Sequence, residues 1–235
     1  MLRYIKGAIR EIKGILNFEY IRKPDFSHLD SKLDYQNYWE HRILKLRDYF
    51  KPREKIFFKW IEPKSKVLDV GCGNSPLLLQ LKTKKGCKVQ GIDIGKKIVA
   101  IQKKAGVPCK IIDITKEKIP GHYDYAIISE VLEHLKYPED ILRKINAKYF
   151  IVSVPNTAFI PYRYGLAIKG RFPTQWVYHP AEHLRYWSHT DFLDWLRALN
   201  LKIIKTESSS GIYGLKNLWK NMFGTQICYL CKKCE

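Results

Sequence analysis

Between residues 66 and 154 the sequence repeats one alternation, a short apolar run followed by a stretch with helical spacing. Residues 66–70, 88–92, 109–112, 125–129 and 149–154 read as five buried strands. Residues 76–82, 98–105 and 138–145 read as helices between them. Such an order implies right-handed crossovers and a parallel sheet covered on both faces, which makes the chain α/β. Residues 35–61, rich in aromatic and basic side chains, read as a helical region ahead of the sheet, after a linker at 24–34. Beyond Pro155 an irregular stretch runs to about Ser188. A helix at 191–199, a strand at 202–207, an apolar-basic helix at 215–223 and a last strand at 226–232 follow.

The decapeptide Val67-Leu68-Asp69-Val70-Gly71-Cys72-Gly73-Asn74-Ser75-Pro76 is the most informative piece of chemistry. An apolar strand ends in an acid, turns through two glycines and enters a helix that Ser75 can cap, with Pro76 suited to its first position. Glycine permits the tight turn and the close approach of backbone to a ligand. A dinucleotide site would want a third glycine, but Leu77 and Leu78 occupy that region. Asp69 is unhelpful to a phosphate and suits a cationic amino-acid ligand. Asp93 ends the next strand, near the offset at which an acid bonds ribose hydroxyls, and Asp113 ends the third, where a carboxylate could meet an adenine amino group. The bland alternative is that all three acids only cap or turn.

These segments resemble the ordered motifs of class I S-adenosylmethionine-dependent methyltransferases. They are V-L-D-V-G-C-G-N at 67–74, G-I-D-I at 91–94, I-I-D-I at 111–114, Y-D-Y-A-I-I-S-E-V-L-E-H-L at 123–135 and F-I-V-S-V-P-N at 150–156. The resemblance spans about residues 60 to 235. It implies a Rossmann-like, seven-stranded, mostly parallel sheet with helices on both faces and the last strand antiparallel, in a domain spanning 28–235. It also implies S-adenosylmethionine as cofactor. Asp69, Gly71, Cys72 and Gly73 would line the methionine moiety, Asp93 with Ile94 the ribose, and Asp113 with Ile114 the adenine. Ser129 and Glu130 would lie beneath the sulfonium. Tyr38-Trp39-x-x-Arg42 resembles an N-terminal segment that closes over the cofactor.

An insert at about 156–188 carries Tyr162-Arg163, Gly170-Arg171-Phe172-Pro173 and His183-Leu184. It resembles that of MetW-like methyltransferases, whereas E-V-L-E-H-L at 130–135 is closer to the ubiquinone-type O-methyltransferases. Long inserts of this kind serve as substrate lids. On a helix Glu130, Glu133 and His134 would share one face. His134 is then the group to take a hydroxyl proton, with Glu133 and His183 as catalytic partners. The same residues have a second use. Glu130, Glu133 and His134 with a downstream His183 are similar to the magnesium site of small-RNA 3′-end 2′-O-methyltransferases, so a divalent metal and an RNA acceptor are the alternative. The favoured acceptor is an oxygen of a small-molecule, glycan or lipid-linked compound. A third possibility is a cofactor-binding regulatory subunit without turnover. The string His179-Pro180-Ala181-Glu182-His183 also spells an inverted zinc-protease motif, a chance match in this setting.

Forty-two Lys and Arg against 23 Asp and Glu leave a formal charge of +19, which favours an acidic partner such as nucleic acid or an anionic membrane. Leu2, Ile5, Ile9, Ile12 and Leu16 mark residues 1–27 as a basic amphipathic helix able to dock on protein or rest peripherally on such a membrane. No run reaches the length of a membrane span, and the start lacks the features of a secretory signal. Six cysteines without an export signal imply reduced thiols and a cytoplasmic protein. Cys228, Cys231 and Cys234 fall on a strand, where side chains three apart point to opposite faces, poor geometry for a metal.

Overall fold

In this computed structural model residues 13–14, 23–24, 26, 33–34, 45–175 and 179–234 are described. The elements, in order, are α1 (Pro52–Trp60), β1 (Lys66–Val70), α2 (Leu77–Lys85), β2 (Lys88–Asp93), α3 (Lys96–Lys104), β3 (Cys109–Ile111), β4 (Tyr123–Ser129), α4 (Pro138–Lys144), β5 (Ala147–Pro155), α5 (Ile160–Lys169), α6 (His189–Ala198), β6 (Leu201–Gly211), α7 (Lys220–Phe223) and β7 (Gly224–Lys233). The strands form one seven-stranded sheet ordered β3-β2-β1-β4-β5-β7-β6. The pairs among β1 to β5 are parallel, and β7 runs antiparallel to both β5 and β6. The Rossmann-like sheet with an antiparallel last strand is as the motifs imply.

Successive side chains of a strand alternate faces, so β4 feeds two cores. Ala126 and Ile128 join Leu142 of α4 and Phe192 of α6 on one side. Tyr125 and Ile127 join Phe57 of α1 and Leu78 of α2 on the other. Cys228 and Cys231 of β7 fall into these two opposite cores, as strand geometry requires.

Four expectations need correction. Of the helical region expected at 35–61, residues 35–44 lie outside the described residues, 45–50 are non-helical, and the helix begins at Pro52, because proline lacks an amide hydrogen and suits a first turn. The stretch after Pro155 is not wholly irregular, since it contains α5 with Pro161 in its first turn. The helix placed at 215–223 shrinks to Lys220–Phe223 after a run of turns. Residues 130–134 do not open an α-helix: Glu130 adopts a left-handed backbone (φ 55°) and Leu132–His134 form a single 3-10 turn. The amphipathic helix at 1–27 and the Tyr38-Trp39-x-x-Arg42 segment lie outside the described residues, residues 13–14 (helical), 23–24 and 26 excepted.

Candidate functional site

A cavity of about 1140 Å³ lies at the carboxyl edge of the parallel strands, lined by residues that include Asp69, Asp93, Asp113, Glu133, His183 and Gln226. Crevices of this kind, outside the strand ends of an open α/β sheet, are where ligands bind. The turn after β1 forms its floor. Gly71 and Gly73 take φ of 66° and 53°, and a Cβ on Gly71 would sit 2.7 Å from Cγ2 of Val131, so glycine is required there by both backbone and space. The amides of Gly71 and Cys72 donate to the carbonyl of Ile92 (2.9 and 3.2 Å), tying the turn to β2. Ser75 Oγ accepts from the Leu77 amide at 3.2 Å, with Pro76 at the cap rather than inside the helix. The Cys72 thiol points away from solvent, 3.6 Å from Cys109 Sγ.

The three strand-end acids converge on the cavity in different states. Asp93 is 5% exposed and accepts from the amides of Gly73 (3.0 Å) and Gly95 (2.9 Å), so it braces the glycine turn from the second strand. Burial pushes its carboxyl up, partly offset by those amides. Asp69 is more extreme: burial, with Glu54 and Asp93 nearby, raises it well above the carboxylate range. For Asp113, partial burial acts upward but is outweighed by bonds from Thr115 and Lys116, and the carboxyl is lowered. Its Oδ1 accepts from Thr115 N (3.0 Å) and Oγ1 (2.6 Å) and its Oδ2 pairs with Lys116 Nζ (3.1 Å), so this acid turns into its own loop at the cavity wall. Ile94 and Ile114 supply apolar wall on either side.

Sequence reasoning missed the roof. Arg47 forms a forked pair with the buried Glu54, bonds Asn74 Oδ1 (3.2 Å) through Nε, and donates its own amide to the Asn74 carbonyl (3.0 Å). The Lys51 amide also donates to Glu54 (2.7 Å). Burial acts upward on Glu54, but Arg47 and Lys51 outweigh it and hold the carboxyl low. Arg53 Nε donates to Ser129 Oγ (2.9 Å), Ser129 lies 2.9 Å from Ser153 Oγ, and Ser153 donates to Glu130 Oε1 (2.8 Å). Because both outer donors are fixed, the Ser129 hydroxyl must donate to Ser153, giving a directed chain from guanidinium to carboxylate. No motif signals this chain, because its members meet only through the sheet.

At the other end the insert folds back on the 3-10 turn. The amides of Leu184 and Arg185 donate to the Glu133 carbonyl (2.7 and 3.1 Å), and His134 Nδ1 meets the Glu182 carbonyl. This brings the rings of His134 and His183 to 4.8 Å, edge to face. Donor atoms of Glu133, His134 and His183 lie within 4.8 Å of one another. Glu130 belongs instead to the serine chain. Glu133 is 1% exposed and neither carboxylate oxygen has a hydrogen-bond partner; His183 Nδ1 is likewise buried and unbonded. Burial, then Glu130, raises the Glu133 carboxyl well above its usual range. Burial, then His134, lowers His183 to about 4.

His189, which bonds Tyr229 Oη through Nδ1 (2.9 Å), is also lowered to about 4 by burial and then Lys220. The unfolded chain therefore takes up protons at His183 and His189 between pH 6.5 and 4 that the folded chain does not, and both favour unfolding as pH falls through that window. The buried acids Asp69 and Glu133 titrate in the opposite sense, so the test is a comparison. His189→Gln is expected to lose less melting temperature than the parent between pH 7 and pH 4.5. Equal losses would contradict the assignment.

The family model described as methionine biosynthesis protein MetW matches residues 51–231. A ubiquinone biosynthesis O-methyltransferase of Pseudomonas aeruginosa is 32% identical over 119 residues, 44% of this chain and 51% of that protein. Its Pseudomonas putida counterpart is 32% identical over 152 residues, 55% and 64% of the two chains. The chain thus spans about half the length of the first of these relatives. Among solved structures, a SAM-dependent methyltransferase from Archaeoglobus fulgidus superposes with a TM-score of 0.57 at 18% identity, covering 78% of this chain and 92% of that one. The Burkholderia thailandensis 1,6-didemethyltoxoflavin-N1-methyltransferase, solved with bound 1,6-didemethyltoxoflavin and S-adenosylhomocysteine, gives a TM-score of 0.54 at 14% identity, covering 79% and 78%. At such identities the likeness establishes a shared methyltransferase fold.

Proposed function

The chain belongs to the MetW family, and from that premise and the cavity's geometry we propose that it transfers the methyl group of S-adenosylmethionine to an oxygen of a small-molecule, glycan or lipid-linked acceptor. The observation that carries the reading is the polarity of the cavity: acid-ended strands and a glycine turn at one end, an imidazole pair at the other. Gly71, Cys72 and Gly73 would present backbone to the methionine moiety beside Asp69. Asp93 with Ile94 would meet the ribose, and Asp113 with Ile114 the adenine. Ser129 and Glu130, held by Arg53 and Ser153, would underlie the sulfonium.

The sulfonium carbon is already activated, so the protein's task is to align an oxygen with the carbon–sulfur bond and receive its proton. When bound, S-adenosylmethionine would supply an electrophilic methyl carbon whose bond to sulfur breaks as the bond to the acceptor oxygen forms, with a neutral thioether as the leaving group. His134 Nδ1 donates to the Glu182 carbonyl, so Nε2 is the atom to take the proton of the acceptor hydroxyl, while His183, uncharged near neutral pH, packs edge to face against that ring. The test is calorimetric titration with S-adenosylhomocysteine, followed by methyl transfer to phenolic and glycan hydroxyls. Saturable binding with transfer is expected. Absence of binding would overturn the reading, and binding without transfer to any acceptor would turn it into a regulatory subunit.

The orphaned Glu133 carboxylate favours one second reading, a divalent ion at Glu133, His134 and His183. Mixed carboxylate and imidazole donors fit such an ion, and removing a buried, unpartnered carboxylate from isolation is itself favourable. An ion there would supply positive charge beside the acceptor oxygen. Together with the +19 charge this would suit an RNA 2′-hydroxyl. Chelator-sensitive transfer and steeply salt-dependent RNA binding would distinguish it.

A further inference from the structure

Two surface stretches contribute to the wall of the cavity, and neither contains an acid. Residues 156–175 include Arg163, Lys169 and Arg171 with no Asp or Glu, and residues 208–226 include Lys216 and Lys220 with no Asp or Glu. Arg163, Lys216 and Lys220 donate to backbone carbonyls, and among the described residues none of the three is ion-paired with a carboxylate. The same stretches expose large apolar side chains: Leu166, Ile168 and Phe172 in one, and Leu215, Leu218 and Trp219 in the other, with Leu218 81% exposed.

Asn156 fastens the two together. Its Nδ2 donates to the carbonyls of Lys220 (3.3 Å), Asn221 (3.2 Å) and Gly224 (2.6 Å), and its Oδ1 accepts from the amide of Ala158 (3.1 Å), just ahead of α5. Tyr162 and Thr174 from the first stretch, and Ser210 and Gln226 from the second, face the cavity. The exposed apolar groups therefore project from segments that also line the cavity.

Apolar groups clustered on a surface mark an interaction site. Aliphatic and indole side chains set among basic ones match the depth profile of an anionic bilayer surface, where chains enter the acyl boundary and cationic groups meet phosphates. A second copy of the same chain would bring like charge against like charge. We propose that these two stretches dock on an anionic lipid bilayer and seat the acceptor end of the cavity against it. The docking surface does not depend on the methyl acceptor's identity; a lipid-linked acceptor would simply enter from the surface that holds the protein.

The test is co-sedimentation of the full chain with phosphatidylcholine vesicles, with and without about one-third phosphatidylglycerol, at low and high salt. Binding is expected to require the anionic lipid and to fall with salt. Leu218→Ser combined with Trp219→Ala should weaken it about tenfold or more while leaving S-adenosylhomocysteine affinity intact, which also reports folding. Equal binding to neutral vesicles, or undiminished binding by the double variant, would overturn the proposal. So would loss of binding in Ile5→Asp with Ile9→Asp while the 218/219 variant still binds, which would assign the membrane to the first segment. A dimer dissolved by the 218/219 variant, with no vesicle binding by the parent, would assign the patch to a second copy.

Discussion

Asp93→Ala is expected to weaken S-adenosylhomocysteine binding by about two orders of magnitude, because hydrogen bonds to charged groups contribute roughly 1.5–3 kcal/mol each and this carboxylate makes several at once. Two are visible without ligand, from Gly73 and Gly95, and they hold the loops after β1 and β2 in register. The proposed ribose contact would add a third partner. Alanine removes all of them and leaves the Gly73 amide facing an open cavity, where water can satisfy it, so the fold should survive while affinity drops. Asp93→Asn provides the internal comparison: it keeps one acceptor oxygen and should fall between parent and alanine. Calorimetry with each variant gives the answer. Affinity within threefold of the parent for Asp93→Ala would contradict both the ribose assignment and the bracing role. Asp113→Ala should cost less, because that carboxylate is occupied by Thr115 and Lys116 at the cavity wall.

The difference between these two acids shows what a sequence can and cannot reveal here. That both end strands at one sheet edge follows from local alternation, and the strands begin and end within a few residues of the expected positions for β1 to β5. β6 continues to Gly211, well past the expected residue 207, because Ser208, Ser209 and Ser210 carry no apolar signal and the pairing is bulged there. α5 escaped because its ten residues hold Pro161 and a buried Gly165, which dilute helical spacing. The pairing of Arg47 with Glu54 and the chain from Arg53 to Glu130 are fixed where Arg47, ahead of α1, meets Asn74 of the glycine turn and Arg53, in the first turn of α1, meets Ser129 at the end of β4. Residues that distant meet through tertiary packing, which leaves no spacing rule in the sequence. The E-x-x-E-H string was legible as a candidate site but not in its geometry. The left-handed Glu130 turns its carboxylate toward Ser153, while the insert delivers His183 to Glu133 and His134.

That divergence lets two substitutions separate proton transfer from ion binding. His134→Ala is expected to reduce methyl transfer by about 10²–10⁴-fold, the usual contribution of a positioned general base, with S-adenosylhomocysteine affinity unchanged. Affinity should hold because His134 contacts the insert and His183 rather than the glycine turn. This loss alone does not distinguish the two readings, since His134 would serve either as base or as ligand. Glu133→Gln does. Burial, then Glu130, holds the Glu133 carboxyl well above the usual range, so in the absence of an ion the site favours the uncharged form more than water does. Glutamine mimics that form in shape and removes the cost of burying a charge, so without an ion the variant should fold at least as stably and retain most of its transfer. With an ion the same variant loses an anionic ligand, and transfer should fall together with the heat of magnesium or manganese binding. Retained transfer in Glu133→Gln with lost transfer in His134→Ala places the chemistry on the imidazole. Parallel losses, with chelator sensitivity in the parent, place it on a bound ion. Unchanged transfer in both would remove the imidazole pair from the reaction and shift the search for a base to Glu130 and the serine chain beneath the proposed sulfonium site.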